Sequence, residues 1–225
     1  MIELKRVSIT VLESKEFLMF LLQIVGWFIF SCIVMSFIEH QVHSKLMHKR
    51  SIERFKRTFE AHAIVHHKHY SNIFSDEPVP PGEDREIRLT VRKAPIKAMP
   101  VALLIALFSF PGAVIFIAVV TMHHWIWNKI HLEMHKPEGK SFSGWWIYQF
   151  LARYHYLHHR YPNRNFNVVF PLADYVLNTH ARPTQSDIKD MHELGLFGAR
   201  RVINGATTAN LQQVHQEQDA YVRHK

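Results

Sequence analysis

The chain has 225 residues, enough for one domain with a short tail, and carries a formal net charge of +8. Its one cysteine, Cys32, excludes a disulfide framework and a thiolate metal site, so any bound metal must be held by nitrogen or oxygen. The basic balance argues little for nucleic acid as a partner. Lys45, Lys49, Arg50, Arg54, Lys56 and Arg57 follow directly on an apolar run, which is the flank expected where a membrane helix enters the cytoplasm.

Residues 1–16 form a short N-terminal segment of mixed charge. Residues 17–38, FLMFLLQIVGWFIFSCIVMSFI, carry no charge, and as a helix they reach about 33 Å, enough to cross a bilayer core once. The run is too long, and lacks the small-residue site, for a cleaved signal peptide. EHQVHSKLMH (39–48) and EAHAIVHHKHY (60–70) flank a basic, helix-prone stretch, and residues 71–84 make an acidic, proline-rich loop. A second apolar region spans 99–122, with Phe110-Pro111-Gly112 near its midpoint, and runs into HHWIWNKIHLEMH (123–135). After a break at 137–140, Trp145, Trp146 and Tyr148 suit a helix at headgroup level, with its far end at YHYLHH. Residues 17–179 therefore read as one membrane-embedded domain and residues 180–225 as a polar C-terminal tail, with a short helix expected near 186–196.

If all the histidine clusters serve one site, the chain between His67 and His131 must cross the membrane an even number of times. The Pro111-Gly112 pair predicts a helical hairpin turning there, with arms at about 91–109 and 113–136. The expected fold is an all-α integral membrane protein: one transmembrane helix plus a helical hairpin, capped by a cytoplasmic histidine-rich helical region. A single proline-kinked helix over 99–122 is the alternative, and it would strand the clusters on opposite faces.

Eighteen histidines are present, and ten fall in four groups: His43 and His48; His62, His66 and His67; His131 and His135; His155, His158 and His159. The i,i+4 pairs His62/His66 and His131/His135 each lie on one face of an α-helix, the geometry for two ligands in one metal neighbourhood, and His155, His158 and His159 share a face. His43 and His48 are about 140° apart on an α-helix and reach either different metals or one metal from a bent segment. Glu39, four residues before His43, is placed to orient it, and Asn128 to add a ligand or hydrogen bond beside His131. His40, His69, His123 and His124 read as supporting, lipid-facing or solvated side chains. HLEMH has its glutamate in the wrong place for a zinc-protease helix, and the zinc-deaminase pattern needs a C-x-x-C that one cysteine cannot supply.

From Glu39 to Thr179 these residues resemble the fatty acid hydroxylase and sterol desaturase superfamily of polyhistidine membrane oxygenases. The boxes are E-x3-H-x4-H (Glu39, His43, His48), H-x3-HH (His62, His66, His67), H-x3-H (His131, His135) and YH-x2-HH (Tyr154, His155, His158, His159). FNVVFPLADYVLNT is similar to the segment that passes the family's active site, with Asp174 at its aspartate and Asn178-Thr179 in place of Gly-Thr. The resemblance implies a cytoplasm-facing dimetal centre of two iron ions held by those ten histidines, with zinc as the other occupant imidazoles accept. It implies O2 and two electrons used to hydroxylate an unactivated C–H bond of a lipid, a fatty acyl chain above all, in a bacterial inner membrane or the endoplasmic reticulum. No fused cytochrome b5 domain is expected, so electrons should come from a separate donor such as cytochrome b5, ferredoxin or a reductase. Fewer apolar segments than in larger members leave three crossings rather than four.

Desaturation of a lipid or sterol on the same scaffold is the nearest alternative, and a noncatalytic membrane protein with a structural zinc site is the next. A metal transporter fits poorly, because the apolar runs carry no ionisable path. Two further expectations are that Trp125, Trp127, Trp145 and Trp146 line the lipid entrance, and that metal is lost as pH falls below about 6, where imidazoles protonate.

Overall fold

The computed structural model describes residues 2–50, 52–71, 73–76 and 88–198. Most of the acidic loop, and the tail from residue 199 with His215 and His224, lie outside the described residues. Among the described residues the protein is all-helical, with no strand. Two helices are long and apolar enough to cross a membrane.

The first, α1 (Ile2–Val42), begins in the N-terminal segment and continues through the apolar run without a break. Nothing in that run interrupts it: there is no proline, and its one glycine is tolerated inside a helix at about 1 kcal/mol. Beyond Val42 the helix widens to a π-turn, His43–Met47, closed by His48 N–H donating to the His43 carbonyl. A second wide segment, Glu60–His66, joins α2 (Lys56–Phe59) to α3 (His67–His69).

The hairpin consists of α4 (Ala94–Ala106) packed along α5 (Phe110–His135). It turns at residues 107–109, before the expected Pro111-Gly112 pair. Ser109 caps α5, its hydroxyl accepting from Gly112 N–H at 3.1 Å, and Pro111 sits in the first turn, where a missing N–H costs nothing. Gly112 is there for packing rather than for turning. A Cβ on it would lie 2.5 Å from Cδ2 of Trp27, so only glycine lets the α1 indole lie on α5. Ala94, Ala98 and Ala102 repeat at four-residue spacing on the buried face of α4 and let the three helices close around Met35, Phe116 and Val120. The lipid-like outer surface is extreme at the hairpin tip, where Leu107 and Phe108 are 78% and 86% exposed.

A second core joins the end of α5 to α6 (Trp146–Arg160) and α8 (Gln185–Glu193) through Trp127, Met134, Leu151, Tyr156, Leu157 and Met191. α8 begins with a capping box, Thr184 and Asp187 each bonding the other's backbone N–H. The Tyr161 and Tyr156 hydroxyls donate to Asp187 and Asp190 of α8. The polar tail is thus part of the fold as far as residue 198. Between α6 and α8, the short α7 (Leu172–Val176) packs on α1.

Candidate metal centre

The ten histidines of the four boxes converge in two groups of five, and within each group the ligand atoms lie within 4.8 Å of one another. The first group is His43, His48, His62, His67 and His158, and the second is His66, His131, His135, His155 and His159. The groups adjoin, with His67 stacked on His159 at 4.3 Å between ring centroids.

The pairing differs from what α-helical spacing predicts, and the π-turns are the reason. In Glu60–His66 the hydrogen bond closes over five residues, His67 N–H to the His62 carbonyl. This turn brings positions i and i+5 onto one face. His62 therefore shares the first group with His67 instead of with His66, which enters the second. The same widening at His43–Met47 turns His43 and His48 to one group. On the regular helices the ordinary rule holds: His131/His135 and His155/His159, each four apart, both enter the second group. His158 leaves the α6 face for the first.

Three ring orientations are fixed by backbone carbonyls. His43, His158 and His135 donate from Nδ1 to Phe166 O, Arg164 O and Phe74 O, the latter two at 2.7 Å. A carbonyl only accepts, so each ring carries its proton on Nδ1 and presents the Nε2 lone pair to its group. Two of the three carbonyls belong to one turn. Asn165 between them is left-handed (φ 56°), a conformation asparagine tolerates, and is fully buried, with Nδ2 on Tyr154 O and Oδ1 receiving Ala181 N–H. The sequence signal for this support is the NRNF stretch, residues 163–166, just after the last box.

Glu39 does not orient His43 directly. Its carboxylate accepts from Val168 N–H, Asn167 Nδ2 and His123 Nε2. Asp174 accepts from the N–H groups of Phe166 and Asn167 and from the Thr179 hydroxyl, and lies near His40. The two carboxylates together hold the strip 166–168 whose carbonyl holds His43. Asn128 is not a ligand: its amide forms both hydrogen bonds of a clamp on the Leu89 backbone. Of the four tryptophans expected at an entrance, Trp127 lines an apolar cavity beside His43 and stacks on His131, whereas Trp125, Trp145 and Trp146 are exposed. His69 bonds Asp76, which also receives the Tyr70 hydroxyl, and the Tyr70 ring stacks on His135. His180 stacks on Tyr175, away from both groups.

The donor set fits two metal ions. Two nitrogens at about 2.1 Å from one ion and at right angles to each other lie about 3.0 Å apart, against about 3.4 Å in a tetrahedron. The Nε2–Nε2 separations are 2.8 Å for His43–His62 and 3.1 Å for His158 with His48 and with His67. In the second group they are 3.0 Å for His135–His155 and 3.1 Å for His155–His159. Both ring nitrogens of His66 are buried without a hydrogen-bond partner, a costly arrangement that coordination would relieve. Neither group contains a carboxylate. Burial holds His62, His66, His155 and His159 well below the ordinary imidazole value, with neighbouring rings adding to the effect. It lowers His158 to about 3 and the less buried His48 to about 4. Burial thus favours the neutral, ligating form of these rings, which moves the expected release of metal to a pH lower than about 6.

No family model, curated protein or solved structure matches the chain.

Proposed function

We propose that the protein is a membrane-bound dimetal oxygenase of the fatty acid hydroxylase and sterol desaturase type, which hydroxylates an unactivated C–H bond of a lipid acyl chain. The observation that carries this reading is the pair of adjoining five-imidazole shells beside an apolar cavity that His43 itself lines. Each group of five imidazoles exceeds the four donors of a closed structural zinc site, and the two groups would hold a pair of iron ions. The chemistry a bound iron pair supplies is the reduction of O2 by two electrons and two protons, with one oxygen atom entering the C–H bond and the other leaving as water.

What this chain's residues do is hold, orient and exclude. The carbonyls of Arg164, Phe166 and Phe74 lock three rings in the ligating tautomer. Burial of the shells keeps water from the oxidising site. The cavity between α1, α4 and α5 admits an alkyl chain to the His43 side. The apolar surfaces of α1 and the hairpin support an integral membrane protein in which α1 crosses once and the hairpin dips from the same face. The Lys and Arg residues at 45–57 favour the cytoplasmic face for the histidine cap, in a bacterial inner membrane or the endoplasmic reticulum. Electrons come from a separate donor protein of the cytochrome b5, ferredoxin or reductase kind.

The test is lipid mass spectrometry on cells expressing the protein or its His158→Ala variant, with iron and an electron donor supplied. A lipid that gains one oxygen atom only with the intact protein establishes a hydroxylase. Loss of two hydrogens instead makes it a desaturase. Identical lipid profiles with both proteins refute an oxygenase and favour a structural zinc site.

A further inference from the structure

The cavity beside His43 has a volume of about 250 Å3 and is walled chiefly by alkyl and aromatic side chains of α1, α4 and α5. Its few polar groups have unequal commitments. His43 is held by Phe166 O and belongs to the first metal group. Glu39, the only carboxylate among the described residues that line it, is consumed by Val168, Asn167 and His123. His124 donates Nδ1–H to Val120 O at 2.9 Å, which leaves Nε2 as a neutral acceptor. Lys97 remains. It lines the cavity and is also exposed, so it stands at the rim, and it pairs with no carboxylate among the described residues.

Lys97 is the one charge in α4, APIKAMPVALLIA. It lies in the first turn of α4, at the polar end of the arm, where a cation stays hydrated. The long stem lets the ammonium stay near the polar surface while its methylenes continue the apolar wall. An apolar slot with one lining cation that no described carboxylate pairs is complementary to a single alkyl chain that ends in an anion.

We infer that this cavity takes a single-chain lipid with an anionic head group, a long-chain carboxylate or alkyl phosphate, and that Lys97 is the residue that selects it over neutral esters, alcohols and sterols. The inference rests on the oxygenase reading only in treating the cavity as the place of reaction, since the binding preference stands on Lys97 and the cavity alone.

The experiment uses the full-length, metal-loaded protein in phosphatidylcholine nanodiscs at pH 8. A conjugated 18-carbon tetraene carboxylic acid, its methyl ester and octadecyl phosphate are the probes. Energy transfer from tryptophan reports the two polyenes, and octadecyl phosphate is read by its displacement of the polyene acid. The acid and the phosphate are expected to bind at least ten-fold more tightly than the ester. Lys97→Gln is expected to bring the acid-to-ester ratio within two-fold of unity while leaving ester affinity and metal content unchanged, and Lys97→Arg to restore the preference. A ratio near unity in the intact protein, or a ten-fold ratio that survives Lys97→Gln, overturns the proposal. If the preference holds but no lipid is oxidised, the oxygenase reading falls and the ligand class stands. If neutral lipids are oxidised with a ratio near unity, the reverse is true.

Discussion

The burial of the histidines sets different acid limits for the metal-loaded and the metal-free protein. An imidazole with its ordinary value of about 6.5 is protonated about 100-fold over its neutral form at pH 4.5, so each such ligand would weaken metal binding about 100-fold, or ~2.7 kcal/mol. His48, lowered to about 4 by burial, stays mostly neutral at pH 4.5, and that ligand costs less than two-fold. His158, lowered to about 3, costs less still. Metal content, measured after equilibration in buffers from pH 7 to 3.5 and removal of free ions, is expected to stay flat to pH 4.5 and to fall through about pH 4 as His48 titrates. The metal-free protein behaves otherwise. Its folded histidines lie below the unfolded value, so the unfolded chain takes up protons first. The associated stability is whole above about pH 6.5 and is lost as pH falls toward 4, on the order of 3 kcal/mol for His48 alone. Chelated protein should therefore lose its helical circular dichroism at a higher pH than loaded protein. Half-loss of metal near pH 6 would refute the reasoning, because it would mean the shells are solvated.

The other predictions concern the supports of the site. Asn165→Ala removes a buried amide's bonds and places a Cβ residue less suited to positive φ, at about 2–4 kcal/mol, and is expected to lower metal content from two ions toward one because His43 and His158 belong to the same group. Glu39→Gln leaves Val168 N–H or Asn167 poorly matched, so the thermal midpoint should drop by the equivalent of about 2 kcal/mol, with metal loss confined to the first group. Asn128→Ala should cost about 1–2 kcal/mol and leave metal content unchanged, since its amide serves only Leu89; metal loss in this variant would restore it as a ligand. Gly112→Ala should destabilise by about 1–3 kcal/mol by pushing Trp27 off α5, read by the thermal midpoint and a shift in tryptophan emission.

Helical class, the two long apolar helices and a hairpin between the clusters were legible in the sequence because charge-free length and spacing are one-dimensional properties. The position of the turn was misjudged because Pro-Gly is a turn signal only when no better cap stands nearby, and Ser109 provides one. The ten histidines that converge were visible as boxes. Their division between two groups was not, because residue spacing implies 3.6 residues per turn and two of the box segments are wound more widely. The roles of Glu39 and Asn128 depended on which backbone groups fold back onto them, residues 167–168 and Leu89, and such long-range partners leave no mark in local spacing.

The wide turn at Glu60–His66 and the last turn of α6 each send neighbouring residues to different shells: His66 and His67 part there, as do His158 and His159. The two shells are therefore cut from the same pieces of chain, like two rooms sharing their walls. Neither can be re-registered by a change in chain length without moving ligands of the other, even where loss of one carbonyl support empties a single group. A single residue inserted between His62 and His66 would re-register ligands of both shells, which makes this centre a poor candidate for gradual change and confines tolerated variation in length to the loops outside the boxes.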